Sequence, residues 1–305
     1  MTGNAALRAD WIALDWGTTH LRAWAMDPAG KVLAQAASDD GMARLAPADF
    51  EPALLALVAP WLGTGTTRIV ACGMVGSRQG WAEAPYRSVP CAAAADTLTR
   101  VAARDARLDL RLIPGVRQTE PADVMRGEET QIAGFLAANP AYDGILCLPG
   151  THSKWVHISA QEIVSFRTFM TGEMFALLSQ NSVLRHSIGA TGWDAGAFTG
   201  ALSQAMSRPE ALAARLFSLR AETLLHDLAP DAARARLSGL LIGAELAAAK
   251  PYWLGQNVTL IGAPGLNEIY AAALAAQGLT PLQMDGQAMT LAGLTAAHSC
   301  LRELT

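Results

Sequence analysis

A short stretch near the start of the chain combines a carboxylate, two hydroxyls and an arginine around a glycine. It reads DWGTTHLR, in which Asp15 follows the apolar run 11–14. An apolar run without helical period is typical of a buried strand, and a glycine lets a ligand approach the backbone of the turn that follows. Hydroxyls and amides bind anionic oxygens, a carboxylate holds hydrated Mg²⁺, and an arginine fork neutralises a phosphoryl group. The stretch indicates a phosphate-binding turn, but a hairpin with a plain polar turn explains it equally well. The candidate contacts are Asp15, Gly17, Thr18, Thr19 and Arg22.

A second stretch, CGMVGSRQGW, follows the predicted strand 68–72 and contains three glycines. Loops at the carboxyl ends of parallel strands bind ligands in α/β proteins. The donors and the flat side chain of this loop suit a polyol or a sugar acid, whereas a solvated surface loop is the alternative. The candidate substrate contacts are Ser77, Arg78, Gln79 and Trp81.

Two adjacent carboxylates, Glu128 and Glu129, lie in the first turn of a helix predicted from Gly127 to Ala138. The helix dipole stabilises carboxylates in that position, which explains them without any chemistry. A carboxylate at a domain junction also accepts the proton of an attacking hydroxyl. The residues alone leave both interpretations open.

The pattern of the N-terminus occurs a second time. A buried strand at 145–148 runs into the turn PGTHSK, and two further strands follow at 155–158 and 163–169. Strand, phosphate-type turn, strand and strand therefore appear at 11–36 and again at 145–169. This duplication predicts two similar α/β domains that face each other across a cleft, each offering one hairpin turn to a shared polyphosphate.

The last buried strand, 258–261, ends in GAPGLN before a helix over 268–276. A glycine-containing turn at a helix N-terminus suits a nucleotide, because backbone groups replace side chains against the ligand. Many α/β crossovers share this pattern, so it is weak by itself.

Other elements must support these turns. Helices are predicted at 50–61, 96–107, 171–178, 232–250 and 288–300, and residues 189–200 are predicted to be a loop. The closing helix is expected to pack in the second domain. The domain boundaries are predicted at 1–140, with the first phosphate turn and the sugar-acid loop, and at 141–305, with the second phosphate turn and the adenosine turn.

The composition narrows the class of protein. The chain has 305 residues, of which 51% are hydrophobic and 16% charged, and its net charge is −4. This balance suits a compact two-domain enzyme and argues against a general nucleic-acid binder, which needs a basic face. The four cysteines form no C-x-x-C pair and are expected to be reduced thiols without a metal cluster. Since no run resembles a signal peptide or a membrane span, a cytoplasmic protein is expected.

The order of these motifs resembles the superfamily of actin, sugar kinases and heat-shock ATPases. Within it, the strings DWGTTHLRAW, CGMVGSRQGW, RGEETQIAGF, LPGTHSKW, FMTGEMFALL and LIGAPGLNEIY are similar to those of 2-keto-3-deoxygalactonate kinases, over nearly the whole chain. The resemblance implies two ribonuclease H-like domains and transfer of a phosphoryl group from ATP to the 6-hydroxyl of 2-dehydro-3-deoxy-D-galactonate.

The resemblance also implies roles for individual residues. Asp15 would organise Mg²⁺, and Gly17, Thr18, Thr19 and Arg22 would surround the transferring phosphate. The second phosphate turn would use Gly150, Thr151 and Ser153, and the adenosine pocket would use Gly262, Ala263, Gly265 and Asn267. Related sugar kinases have an aspartate as the base where this chain has glutamates, so Glu128 is expected to be the base with Glu129 in reserve. The second turn lacks the acidic residue of other branches, so metal contacts are expected mainly from Asp15.

Several alternatives remain from the residues. A kinase for the epimeric 2-keto-3-deoxygluconate differs by one hydroxyl configuration, and a homodimer is open. A sugar-responsive regulator on the same fold would normally add a DNA-binding helix-turn-helix, and only ten residues precede the first predicted strand. An assembling or chaperone-type ATPase would need a filament surface or a peptide-binding domain.

Overall fold

The computed structural model describes residues 7–303. Residues 1–6 and 304–305 lie outside the described residues. The two outer ends of the predicted domains, and the start of the N-terminus that is expected to lack a signal peptide, fall on these residues. The strands are β1 (Trp11–Trp16), β2 (Leu21–Met26), β3 (Val32–Ser38), β4 (Thr67–Cys72), β5 (Arg87–Ser88), β6 (Cys91–Ala92), β7 (Thr99–Arg100), β8 (Leu108–Leu112), β9 (Val116–Thr119), β10 (Ala122–Met125), β11 (Gly144–Leu148), β12 (Ser153–Ser159), β13 (Glu162–Phe169), β14 (Val258–Gly262) and β15 (Leu282–Asp285). The α-helices are α1 (Phe50–Val58), α2 (Glu128–Ala138), α3 (Thr171–Asn181), α4 (Ala195–Ser207), α5 (Leu212–Leu225), α6 (Pro230–Ala248), α7 (Lys250–Trp253), α8 (Pro264–Ala275) and α9 (Gly286–Glu303).

The first of two compact units contains the described residues 7–142, 159–164 and 286–303. Its main sheet has the order β3-β2-β1-β4-β8-β7. Strand β2 is antiparallel to both β1 and β3, whereas β4 and β8 are added in parallel. Strand β1 is almost wholly enclosed, as its continuous apolar sequence predicts.

The second unit contains residues 143–158 and 165–285. Its strands have the order β13-β12-β11-β14-β15, with β11 antiparallel to β12 and parallel to β14. This order repeats β3-β2-β1-β4-β8 of the first unit, strand for strand. Both units therefore have the ribonuclease H-like strand order of the actin-like ATPases, which confirms the predicted fold class.

The predicted helix at 96–107 is wrong. Thr99 and Arg100 instead form β7, which pairs antiparallel with Leu112 and Arg111 of β8. The carboxylate of Glu51 then accepts hydrogen bonds from the backbone amides of residues 104 and 105. Sheet pairing and this carboxylate satisfy the backbone without a helix, so tertiary contacts override the local propensity.

The closing helix α9 belongs to the first unit and not, as predicted, to the second. The ring of its His298 stacks on Trp11 of β1, with 4.1 Å between ring centroids and an interplanar angle of 4°. The helix also packs against α2 through glycines on both sides. A Cβ built on Gly134 of α2 would lie 2.1 Å from the Met289 carbonyl oxygen, and one on Gly293 of α9 would lie 1.9 Å from the Thr130 carbonyl oxygen.

Replacing Gly293 with alanine is expected to lower the free energy of unfolding by roughly 1–3 kcal/mol, because the added methyl would collide with backbone that must move. The matched control is Gly200→Ala in α4, where nothing lies within 4 Å of the new Cβ. That change is expected to raise the free energy of unfolding by about 0.5–1 kcal/mol, since it removes a helical glycine. Urea unfolding of both variants measures the difference. Equal effects would contradict close packing of α2 on α9.

Three further differences concern elements that the sequence did not predict. The predicted loop 189–200 ends early, because α4 begins at Ala195 with the side chain of Asp194 accepting a hydrogen bond from the Ala197 amide. Residues 116–125, for which the sequence predicts no regular element, form the β9–β10 hairpin, and residues 282–285 form the edge strand β15.

Among residues 7–303, no helix has the length and apolar character that crossing a bilayer requires.

Candidate active site

Asp15 lies near the end of β1, where the register aligns it with Arg22 of β2 and Cys72 of β4. Its Oδ2 atom lies 3.2 Å from Nη1 of Arg22, and a quarter of its side chain is exposed. Burial raises the pKa of Asp15, the Arg22 guanidinium opposes that rise, and the charge of Glu128 adds to it. The strand end therefore carries a carboxylate whose ionisation depends on a nearby cation.

The turn after β1 is held by its own backbone and by the segment that follows β3. The Gly17 amide donates to the His20 carbonyl, and the amides of Met42 and Ala43 donate to the carbonyls of Gly17 and Thr18. Thr18 and Thr19 are exposed, and the hydroxyl of Thr19 is hydrogen-bonded to Nδ1 of His20 at 2.8 Å. This first turn thus presents its hydroxyl residues at the surface on a braced backbone.

The two glutamates at the start of α2 differ sharply in environment. Glu129 is fully buried, and its Oε2 accepts the Gly127 amide at 2.7 Å. Burial, together with the charge of Glu128, raises the pKa of Glu129 to about 7. Glu128 is half-buried, and its Oε2 accepts the Arg126 amide at 3.1 Å.

Two glycines bring the start of α2 beside the ends of β1 and β4. Gly73, with φ of +91°, directly follows β4, and a Cβ on it would lie 2.7 Å from the Trp16 carbonyl oxygen. Gly127, with φ of +110°, lies against Gly73, whose Cα would be 3.5 Å from a Cβ on Gly127. Both positive φ values favour glycine. The thiol of Cys72 lies in the same place, with its Sγ 4.0 Å from Oδ1 of Asp15. Burial, and then the charges of Asp15 and Glu129, raise the pKa of this thiol.

The loop after β4 gives its four candidate substrate contacts unlike surroundings. Ser77 is buried and its Oγ has no partner among the described residues, whereas the Arg78 side chain is 81% exposed and its Nε lies 3.6 Å from Glu83. Gln79 is exposed. The Trp81 ring packs against Phe50 and Trp16 at the edge of the apolar core.

In the second unit, the turn after β11 is pressed against the start of α3. A Cβ on Gly172 would lie 2.2 Å from the Gly150 carbonyl oxygen, and the Glu173 amide donates to the Thr151 carbonyl. Thr151 and His152 are exposed, with Nε2 of His152 2.6 Å from the Glu173 carboxylate. The helix start therefore fixes the backbone of this second turn.

Ser153 faces inward rather than toward the surface of the turn. It is fully buried, and its Oγ lies 2.9 Å from the hydroxyl of Tyr270. The Tyr270 hydroxyl donates to Glu245, whose other oxygen accepts the indole N–H of Trp155 at 2.8 Å. Burial raises the pKa of Glu245, and these hydrogen bonds and one from Thr171 oppose the rise. A buried polar network thus supports the second turn from beneath.

The turn after β14 also has a buried anchor. Asn267 is 3% exposed, and its Nδ2 donates to the carbonyls of Gly262 and Met284. Gly262 ends β14, and Ala263 precedes α8 in extended backbone. Gly265 in the first turn of α8 has open space beside it. Asn267 therefore ties α8 to β14 and β15.

A cavity of about 360 Å³ lies in the second unit, next to the second turn. The lining combines the turn with three helices and one loop: Gly150, Thr151, Thr171, Gly172, Phe175, Trp193, Arg234, Ser238, Leu241, Ile242, Leu266, Ile269 and Tyr270. Trp193 and Ile269 also line a neighbouring cavity of about 370 Å³, which includes Gly265 and Glu268. Mostly apolar walls with a few convergent polar groups are typical of small-ligand sites.

Sequence reasoning did not single out Phe175, Trp193 or Arg234. Trp193 stands in a glycine-rich segment, as Trp81 does, so the same sequence signal could have found it. The centres of the Trp193 and Phe198 rings lie 5.1 Å apart. The Arg234 guanidinium lies 5.1 Å from the Phe175 ring centre, across elements that are 59 residues apart in sequence. Only the folded chain brings these two side chains to one wall.

Comparison with known proteins gives a consistent result over nearly the whole chain. A profile of the family described as 2-keto-3-deoxy-galactonokinase matches residues 15–297. The chain is 40% identical to a protein of Rhizobium meliloti (strain 1021) named "Probable 2-dehydro-3-deoxygalactonokinase", over 94% of this chain and 96% of that one. It is 36% identical to the 2-dehydro-3-deoxygalactonokinase of Escherichia coli (strain K12), over 96% and 99% of the two chains.

A solved structure agrees with these matches. It is the crystal structure of a Sinorhizobium meliloti protein whose assignment as a 2-dehydro-3-deoxygalactonokinase is provisional. The TM-score is 0.88 at 39% identity, over 97% of this chain and 98% of the other. With the duplicated strand order and the two turns described above, these matches show that the chain belongs to the 2-keto-3-deoxy-galactonokinase family, a family of sugar-acid kinases.

Proposed function

We propose that this protein transfers the γ-phosphoryl group of ATP to the 6-hydroxyl of 2-dehydro-3-deoxy-D-galactonate. The observation that carries the proposal is the similarity, over at least 94% of this chain, to one protein named 2-dehydro-3-deoxygalactonokinase and to another named as a probable one. In the reaction the 6-oxygen bonds to the γ-phosphorus, the bond to the ADP oxygen breaks, and the hydroxyl proton passes to a carboxylate. Such transfer depends on positioning and charge neutralisation more than on covalent catalysis.

In the first unit we assign the proton acceptor to Glu128, with Glu129 in reserve. Support comes from the half-buried position of Glu128 and from its electrostatic effect on Asp15, whereas Glu129 is enclosed. Gly17, Thr18, Thr19 and Arg22 are assigned to the transferring phosphate, since both threonines of the first turn are exposed and the Arg22 guanidinium lies at the adjoining strand end, 3.2 Å from Asp15. Ser77, Arg78, Gln79 and Trp81 are assigned to the sugar acid.

Asp15 is the residue that we assign to Mg²⁺. Its surroundings suit a hydrated cation, because the carboxylate is partly exposed and Glu128 is close enough to act on it electrostatically as a second negative charge. Magnesium in kinase sites keeps several waters and reaches the protein through one or two carboxylates. When bound, the ion neutralises charge on the ATP phosphates.

In the second unit we assign the nucleotide to the turn at Gly150 and Thr151 and to the adjoining cavities. Gly262, Ala263, Gly265 and Asn267 are retained as the adenosine turn, with Gly265 lining the cavity beside Trp193. Because Ser153 is hydrogen-bonded within the buried network, we expect it to act on phosphate through its backbone or through the turn. The first unit thus carries the sugar-acid groups, and the second unit carries the nucleotide groups.

Replacing Trp193 with alanine is expected to raise the KM for ATP about tenfold, because stacking of a base on an aromatic side chain contributes about 1–3 kcal/mol. The KM for the sugar acid should stay within about twofold. Phe217→Ala is the matched control, since this exposed aromatic on α5 is not among the residues that line either cavity. An unchanged KM for ATP in the Trp193 variant would remove the ring from the nucleotide site.

A coupled ADP-release assay tests the function itself. Mg-ATP is supplied with 2-dehydro-3-deoxygalactonate, its gluconate epimer, galactonate or glycerol. Turnover confined to the galacto epimer is the expected result. Turnover of the gluco epimer alone would change the substrate, and turnover only of glycerol would show that the Gly73–Trp81 loop does not bind a carboxylate.

We further propose that the protein acts in the cytoplasm on small molecules and without nucleic acid. A homodimer remains a prediction, which sedimentation with and without ATP would test.

A further inference from the structure

We propose that Arg126 is a positioning residue, which fixes the loop 76–86 against the start of α2. The loop 76–86 contains the four residues assigned to the sugar acid, and the residues that follow Arg126 include both candidate bases. The inference rests on the proposed function, and it assigns Arg126 a part in orienting the sugar acid relative to the proton acceptor.

The guanidinium of Arg126 contacts the loop 76–86 at three residues. Its Nη2 donates to the Ala84 carbonyl at 2.8 Å, and its Cζ lies 4.3 Å from the centre of the Tyr86 ring. Its Nη1 lies so close to Gly76 that a Cβ there would be 3.0 Å away. A planar cation that touches both ends of a loop holds those ends at a fixed separation.

The backbone of the same residue faces the glutamates. The Arg126 amide donates to Oε2 of Glu128 at 3.1 Å, and the next residue, Gly127, donates its amide to Glu129. Met125, on the other side, is held in β10 by pairing with Val116 of β9. One short segment therefore contacts the sugar-acid loop through its side chain and the carboxylate pair through its amides.

Stability alone does not account for this arrangement. The Arg126 side chain is 8% exposed, and its Nε and Nη1 atoms have no hydrogen-bond partner among the described residues. Burying a guanidinium without full hydrogen bonding is unfavourable, so a buried charge is a costly way to stabilise a loop. The guanidinium is instead consistent with a demand for fixed geometry, since an error of about 1 Å in substrate position can lower a rate about 100-fold.

Arg87 provides a matched control in the same unit. Its guanidinium also donates to backbone carbonyls, but these belong to Ala92, Ala93 and Ala94 and not to the loop 76–86. A lysine at either position keeps the charge and loses the planar fork. Comparing Arg126→Lys with Arg87→Lys therefore separates positioning of the sugar acid from general support of the fold.

Steady-state ADP release should give a KM for the sugar acid about tenfold higher and a kcat about tenfold lower in Arg126→Lys, because a misplaced substrate loses rate as well as affinity. The KM for ATP should stay within about twofold in that variant. Arg87→Lys should change the melting temperature without changing either KM. Millimolar guanidinium chloride should restore part of the activity of Arg126→Ala and leave the activity of Arg87→Ala unchanged.

Hydrogen exchange of the wild type and both lysine variants gives a readout that needs no turnover. Amides in 76–86 should exchange faster in Arg126→Lys and at the wild-type rate in Arg87→Lys. Unchanged exchange in Arg126→Lys, or equal changes in both KM values for the two lysine variants, would overturn the positioning role. A wild type that exchanges as expected but phosphorylates no keto acid would instead refute the proposed function.

Discussion

Replacing Glu128 with glutamine is expected to lower kcat for the sugar acid by about 10²- to 10⁴-fold, the usual contribution of a general base. The amide keeps the size of the side chain and an oxygen that can accept the Arg126 amide, but it cannot take up the hydroxyl proton. The KM values should change little, because the loss falls on the transfer step. ADP release at saturating Mg-ATP measures the effect, and an unchanged melting temperature excludes unfolding.

The adjacent Glu129→Gln variant is the matched comparison. Because Glu129 is fully enclosed, it is expected to retain kcat within about tenfold of the wild type under the same conditions. The opposite order of effects would exchange the roles of the two glutamates. Full activity in both variants would mean that neither carboxylate accepts the proton.

Much of this geometry could be predicted from short segments. The apolar run before Asp15 and the Gly-Thr-Thr turn after it define a strand and its exit, and both depend on neighbouring residues alone. The repeated pattern at 145–169 then indicates the second unit, because a duplicated order of strands implies a duplicated sheet. Local periodicity and turn chemistry were sufficient for these features.

Contacts between distant segments could not be predicted in this way. The closing helix has a pattern suited to either unit, and its place is decided by the paired glycines at 134 and 293. The inward orientation of Ser153 depends on its hydrogen bond with Tyr270, 117 residues away in sequence, and on the bond from Tyr270 to Glu245, a further 25 residues apart. Glu128 and Glu129 likewise differ in burial, because adjacent residues of a helix point to different sides of it. Which side is enclosed depends on the neighbouring elements.

Burial of Glu129 should also make the stability of the protein depend on pH. Its pKa is about 7 in the folded chain, against an ordinary value of 4.5. Below pH 4.5 both states carry the proton, so the carboxyl group imposes no penalty. As the pH rises toward 7, the unfolded chain releases the proton while the folded chain keeps it, and stability falls. Above pH 7 the folded chain carries a buried charge and the loss is complete.

Replacing Glu129 with glutamine should remove this dependence, because the amide is neutral at every pH and can still accept the Gly127 amide. Between pH 5 and pH 8 the wild type should therefore lose about 2–3 kcal/mol of stability relative to Glu129→Gln. Urea unfolding at the two pH values measures the change, with Glu210→Gln as the control for an exposed glutamate. A constant difference between the wild type and Glu129→Gln would show that Glu129 is ionised in the folded chain at both pH values. Its carboxylate would then have to be stabilised by the Gly127 amide and the neighbouring Arg126 charge more strongly than burial opposes it.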